Sequence, residues 1–127
     1  MQPKERILSL FKAIEKKDLN AVQSFLPTEG PLAVILNDGS LIDDVEDFTD
    51  FFKEWFHEDE WKMTHDLVFI EESPEMAFGI MDGEYSSKDE EGKDFSVNVL
   101  TTCIMRKVDG KWVVVHFQQT EGETDED

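Results

Sequence analysis

The amino-acid sequence predicts an α+β domain in which three N-terminal helices pack on a strongly curved, antiparallel (mixed) sheet. Apolar residues recur at helical spacing between Lys4 and Phe56, and alternate residues are apolar from Trp61 onward. Near the C-terminus, Asp109-Gly110 separates two β-branched runs, the pattern of a tight hairpin. Helices at one end of a chain and strands at the other are typical of α+β domains. A sheet that curves around the helices would enclose a conical hollow.

Two helices are predicted before the first proline turn. The first covers Lys4–Lys17, where apolar residues at helical spacing oppose lysines and glutamates. Its apolar face comprises Ile7, Leu8, Leu10, Phe11 and Ile14. Asp18 is suited to cap a second, short helix, Leu19–Leu26, which ends at Pro27.

The third helix is the clearest in the sequence. A short strand, Leu32–Leu36, and the turn Asn37-Asp38-Gly39 lead into it. Asp43 and Glu46 have the spacing of a capping box. A broad apolar stripe follows, comprising Val45, Phe48, Phe51, Phe52, Trp55 and Phe56. A stripe at this spacing is usually core, and the alternative is that part of it walls a ligand cavity.

Four long strands in hairpin succession are predicted after the third helix. Trp61–Glu71 and Met76–Ser86 alternate with a period of two, and the charged segment Ser87–Asp94 is a hairpin loop. The face of the first strand that we expect to point inward carries Trp61, Met63, His65, Leu67 and Phe69. The last two strands lie within Ser96–Thr120.

The final strand is apolar on both faces. Within Trp112–Phe117, odd and even positions alike are apolar, and such a strand needs cover on both sides. The helices of the chain can cover one side, and we expect a second copy of the protein to cover the other. The sequence thus predicts a homodimer formed through the outer face of the sheet.

Length and composition predict a single domain, residues 1–120, followed by a disordered acidic tail, residues 121–127. The formal net charge of −18 repels phosphate backbones, so nucleic acid is not expected as a partner. This charge is explained either by solubility and salt adaptation or by a decoy surface for a basic partner. There is no long apolar run and no signal-peptide core, so we expect no membrane contact and a cytoplasmic location.

We expect neither a metal nor a cofactor. The single cysteine, Cys103, excludes an internal disulfide and a cysteine-based zinc site, and it is expected to pack as a small hydrophobe. His57–Glu60 does not match a zinc-binding helix motif, and Asp89–Asp94 lacks the EF-hand pattern.

Three segments carry a family resemblance. Phe11–Leu26 (FKAIEKKDLNAVQSFL) looks like two helices joined at an Asp-Leu, and Ala33–Phe56 supplies a strand, a turn and a helix. Asp109–Thr120 (DGKWVVVHFQQT) is similar to a final strand that reads Gly-x-Trp, then apolar residues and a His. In this order the chain resembles the nuclear-transport-factor-2-like superfamily, in particular its SnoaL-like members and the association domain of calcium/calmodulin-dependent kinase II.

The resemblance implies a cone-shaped pocket and commonly a dimer through the outer sheet face. In enzymes of this superfamily that resemble ketosteroid isomerase, a carboxylate base works with a Tyr and a protonated Asp. By the resemblance, the base falls at Asn37 or Asp38, the Tyr near Leu10 and the second Asp near Thr102. Leu10 has no hydroxyl and Thr102 no carboxyl, which argues against that reaction. Asp38 beside Gly39 is otherwise an ordinary turn residue.

His65 and Asp82 are the other candidates for catalysis. His65 lies among apolar residues, where it could act as an acid or base near neutral pH or be a hydrogen-bonded core histidine. Asp82 shares a face with Phe78 and Ile80. If that face points inward, Asp82 could pair with His65, and otherwise it points to water. His116 fits a pocket and a dimer interface equally well.

The predicted pocket lining comprises Phe11, Phe52, Trp55, Trp61, Met63, Leu67 and Phe78. The leading hypothesis is a SnoaL-like homodimer whose apolar pocket binds a small apolar or amphipathic molecule, with or without catalysis. One alternative is an isomerase, cyclase or hydratase that uses His65, Asp82 or Asp38 for proton transfer. Another is an acidic, immunity-like interaction module. Fold alone does not choose among them.

Overall fold

The computed structural model describes residues 2–28 and 30–125, and side chains as far as Gly122. The helices are α1 (Pro3–Glu15), α2 (Leu19–Gln23) and α3 (Val45–His57). The strands are β1 (Ala33–Ile35), β2 (Leu41–Ile42), β3 (Lys62–Glu72), β4 (Met76–Lys88), β5 (Asp94–Val108) and β6 (Lys111–Asp125). No helix within the described ranges has the length and apolar character needed to cross a membrane.

The strands form one mixed sheet in the order β2-β1-β6-β5-β4-β3. The four long strands pair as antiparallel hairpins, and β1 joins β6 in parallel. Helix α1 contacts β3, β4 and β5. The predicted α+β fold class, with N-terminal helices on a mixed curved sheet, is therefore confirmed. The short strand β2 was not separated from the turn in the prediction.

Each helix starts where a local signal permits it. Pro3 lies in the first turn of α1, where a missing N–H costs nothing. The carboxylate of Asp18 accepts a hydrogen bond from Ala21 N at 3.1 Å and caps α2. The cap of α3 is Asp44, which accepts from Asp47 N at 2.8 Å, so the predicted capping box at Asp43 is wrong by one residue.

Three register shifts interrupt the alternation of the long strands, one of them between Val97 and Val99 in the β5–β6 pair, and the other two change which side chains are buried. The β3–β4 register shifts between Leu67 and Phe69, which leaves Val68 as the extra residue. The β5–β6 register shifts between Ile104 and Met105, which leaves Val115 as the extra residue. Because of this second bulge, Val114 and Phe117 both lie in the core, whereas strict alternation had placed them on opposite faces.

The core lies between the helices and the inner face of the sheet. Its largest fully buried side chains include Phe11, Phe48, Phe52, Trp61 and Phe117. Phe48 contacts Phe117 with ring centroids 5.5 Å apart, so α3 packs directly on β6. Cys103 is fully buried on β5, and burial raises the pKa of its thiol to about 12.

A single chain already buries β6 on both faces at Val113 and Val114. Val113 is only 5% exposed and shares a small cleft with Pro27 and Pro31, in the segment between α2 and β1. The expectation that a second copy must cover this part of the strand is therefore wrong. Large apolar side chains remain exposed elsewhere on the sheet, namely Val68, Phe69, Met76 and Leu100.

The acidic C-terminal segment forms part of the sheet. β6 continues through Asp125, and Ser96 and Val97 pair with Asp125 and Thr124. The predicted boundary at Thr120 is thus corrected, since a strand can extend as far as its neighbour offers backbone hydrogen bonds, whatever its side chains. Residues 126 and 127 of the predicted tail lie outside the described residues.

Candidate functional site

An open cleft of about 350 Å³ lies between the C-terminal half of α3 and the inner face of the sheet. It is lined by Asn37, Phe51, Glu54, Trp55, Glu58, Met63, Tyr85, Val99, Gln119 and Glu121. Helix α3 supplies three of these residues, Phe51, Glu54 and Trp55, which lie at spacings of three and four, and Glu58 follows directly as the C-cap residue of the helix. The strands β3, β4, β5 and β6 supply the opposite wall.

Stacked aromatic rings build the apolar wall of the cleft. The ring of Trp55 lies parallel to that of Trp61, with centroids 4.5 Å apart, and Trp61 Nε1 donates to the Trp55 carbonyl at 2.9 Å. Phe51 packs beside Trp55, and Tyr85 stacks on Trp61. These contacts hold Trp55 in place, so this wall is formed before any ligand arrives.

The floor of the cleft is polar and buried. Gln119 is 8% exposed and pairs across the β5–β6 ladder with Thr101, which is fully buried. Thr101 Oγ1 has no hydrogen-bond partner among the described residues. A buried hydroxyl without a partner costs free energy, but Thr101 does not itself line the cleft.

Carboxylates surround the cleft. Glu54, Glu58 and Glu121 line it, and none of its described lining residues is a lysine or an arginine. Burial raises the pKa of Tyr85, and the negative charge of Glu58 adds to this effect. The Tyr85 hydroxyl therefore stays protonated and can donate a hydrogen bond.

His65 lies in the core, outside this cleft. Its Nδ1 lies 3.0 Å from Glu15 Oε2, and its ring meets that of Phe11 edge to face. Burial lowers the pKa of His65, and the hydrogen bond to Glu15 partly opposes this shift. The geometry matches the hydrogen-bonded core histidine that the sequence left open.

Neither Asp82 nor Asp38 pairs with His65 or lines the cleft, although Asn37, the residue before Asp38, does line it. Asp82 is on the outer face of the sheet, opposite Asp66, so the predicted pairing with His65 on the inner face does not form. Its Oδ1 is buried with no partner in the described part of the chain. Asp38 is exposed and accepts from Ser40 N at 2.9 Å, and hydrogen bonding to the side chain and then to the backbone of Ser40 lowers its pKa. Asp38 thus has the geometry of a turn residue.

Of the residues predicted to line a pocket, Trp55 and Met63 lie at this cleft. Phe11, Phe52 and Trp61 are instead buried core residues, and Leu67 packs against the same core. Phe78 is on the outer face, because it pairs with Glu71 beyond the bulge in β3 and stacks on Phe69. Sequence reasoning missed most of the polar lining residues, although the positions of Glu54 and Glu58 on either side of Trp55 were a signal for two of them.

Within residues 2–28 and 30–125, no group of three His, Cys, Asp or Glu side chains is arranged to hold a metal ion. The ring of imidazole and carboxylate groups that a metal centre needs is thus not found in that part of the chain.

Solved structures share this fold across nearly the whole chain. A ketosteroid isomerase-like protein from Erwinia carotovora atroseptica is 13% identical, with a TM-score of 0.79 over 94% of this chain and 93% of that one. A nuclear transport factor 2-like superfamily protein from Salmonella enterica is 15% identical, with a TM-score of 0.75 over 94% and 87%. The association domain of calcium/calmodulin-dependent kinase II from C. elegans is 20% identical, with a TM-score of 0.64 over 90% and 88%.

The sequence comparisons give the family. No curated protein matches the chain. The family model of the SnoaL-like domain matches residues 4–119, which is most of the 127-residue chain. The resemblance noted in the sequence is thereby confirmed, and the chain belongs to the family of SnoaL-like domains.

Proposed function

We propose that this protein binds a small, partly apolar molecule in the cleft between α3 and the sheet. The observation that carries the proposal is the apolar part of the cleft lining, in which Phe51 and Trp55 face Met63 and Val99. The cleft has a volume of about 350 Å³. This volume is at the lower end of the range of about 300–1,000 Å³ for ligand pockets. The polar groups at its floor would orient the ligand.

The proposed assembly is a homodimer formed through the outer sheet face. Val68, Phe69, Met76 and Leu100 are exposed there. A row of exposed apolar side chains on one face is typical of an interface. The similar structure from C. elegans is an association domain, which adds support.

The three residues predicted for acid–base catalysis lie outside the cleft. His65, Asp82 and Asp38 do not line the cleft, and His65 is paired with Glu15. The activities in the names of the isomerase-like and other similar structures are activities of those proteins. At 13% identity, the similarity shows only that this chain shares their fold.

Native mass spectrometry of freshly purified protein tests the binding proposal. We expect a carried small molecule, released on denaturation, in the wild type. Val99→Phe would fill the cleft and should abolish the carried mass, whereas Val108→Phe adds the same bulk to an exposed position at the far end of β5 and should retain it. The proposal fails if both variants behave alike, or if no carried mass is seen and added apolar compounds do not shift the tryptophan fluorescence.

A further inference from the structure

We infer that the ligand of this cleft is an amphipathic cation, with an ammonium group attached to an aromatic or aliphatic body. This inference rests on the proposed function and adds the chemical class of the ligand. Its evidence is the combination of carboxylates, aromatic faces and a buried polar floor within one cleft.

The charge of the cleft differs from that of its neighbours. Four other clefts of the described surface each include at least one lysine or arginine in their lining, namely Lys62, Lys107, Arg106 and Lys12 respectively. The cleft beside α3 has Glu54, Glu58 and Glu121 and neither basic residue among its described lining. The net charge of −18 alone does not explain this difference, because all five clefts belong to the same acidic protein. Such a field attracts cations and disfavours anions.

The aromatic cluster already holds an ammonium group. Lys17 Nζ lies 4.2 Å from the centroid of Trp61 and donates to the Glu58 carbonyl at 2.8 Å. Trp61 stacks on Trp55, which lines the cleft. A cation in the cleft could therefore meet an aromatic face with carboxylates nearby, which is the arrangement by which proteins bind alkylammonium groups.

The floor suits the other end of such a molecule. Gln119 is almost fully buried and lines the cleft, where its side-chain amide carries both a donor and an acceptor. A hydroxyl or carbonyl group on the ligand could hydrogen-bond to this floor. An anionic group is disfavoured there, because no described cation lines the cleft to neutralise it.

Three probes with one apolar body test the inference, namely 4-phenylbutylamine, 4-phenylbutanol and 4-phenylbutyrate. Binding to the full-length protein is followed by tryptophan fluorescence and calorimetry at low and high salt. We expect the amine to bind about tenfold tighter than the alcohol, and the acid to bind weakest. High salt should weaken the binding of the amine and leave the binding of the alcohol unchanged.

Two matched triple variants test whether the carboxylates of the cleft cause the preference for the amine. Glu54→Gln/Glu58→Gln/Glu121→Gln should remove the preference for the amine while the alcohol still binds. Glu75→Gln/Glu90→Gln/Glu91→Gln changes the net charge equally at exposed sites outside the cleft and should keep the preference. The wild-type comparison of the probes needs no variant to fold.

The outcomes separate the two proposals. Equal binding of amine and alcohol, or tighter binding of the acid, overturns the cationic ligand and leaves small-molecule binding intact. Loss of the preference in both triple variants shows that net charge, not the cleft, is responsible, and it overturns the inference too. Failure of all three probes to bind at any salt concentration overturns both proposals.

Discussion

Nδ1 of His65 on β3 lies 3.0 Å from Oε2 of Glu15 near the C-terminal end of α1. This contact joins the first helix to the first long strand. Burial lowers the pKa of His65 below its ordinary value of 6.5, although the Glu15 carboxylate favours the protonated ring and opposes the shift. The unfolded chain therefore binds a proton at His65 more readily than the folded chain does.

The sign of this difference predicts a loss of stability in acid. The contribution of His65 is fully present above the unfolded pKa of 6.5 and is lost as the pH falls below it, because protons favour the unfolded chain. Urea unfolding at a series of pH values should show a smaller acid loss for His65→Gln than for the wild type. Glu15→Gln removes the opposing charge and should deepen the loss. A wild type that gains stability relative to His65→Gln on acidification would contradict this account.

Gly83 makes room for the same histidine. A Cβ at Gly83 would lie 3.0 Å from Cδ2 of His65 and 3.2 Å from the Thr64 carbonyl oxygen, whereas one at Gly79 would meet its nearest atoms at 3.4 Å or more. We expect Gly83→Ala to lower the free energy of unfolding by about 1–3 kcal/mol, because both neighbours must shift. Gly79→Ala, on the same strand and face, is the matched control and should cost less. Equal urea midpoints for the two variants would refute the crowding at His65.

The exposed apolar residues on the outer face of the sheet predict a dimer. A single charged substitution on that face should disrupt it. Leu100 is 47% exposed at the centre of that face, and a glutamate there would be buried without a partner in the proposed interface. Analytical ultracentrifugation should show a dimer for the wild type and a monomer for Leu100→Glu. Leu41→Glu, at an exposed apolar residue on the edge strand β2, should remain dimeric. A wild type that stays monomeric at every concentration would disprove the interface.

The periodicity of apolar residues was sufficient to predict the helices and strands. It was not sufficient to predict which face of each strand is buried. The spacing of Phe48 and Phe52 and the Asp109-Gly110 turn identified α3 and the last hairpin. The bulges at Val68 and Val115 have no local sequence signal, since an extra residue depends on the partner strand. Strict alternation therefore failed beyond each bulge.

The candidate site was harder to predict than the fold. Phe51 and Phe52 are neighbours in one stripe, yet Phe52 is core and Phe51 lines the cleft. Successive residues of a helix point in directions about 100° apart, and only tertiary packing decides which of the two directions meets the core. The acidic composition of residues 121–127 predicts a disordered tail. Glu121 nevertheless pairs with Val99 in the sheet.

The burial of Cys103 makes its thiol a native probe of conformational opening. Its sulfur is buried, and its high pKa leaves almost no thiolate at neutral pH. A thiol-reactive dye can thus label this residue only while the sheet separates from its helices. The labelling rate reports how often the native molecule opens, without any engineered probe.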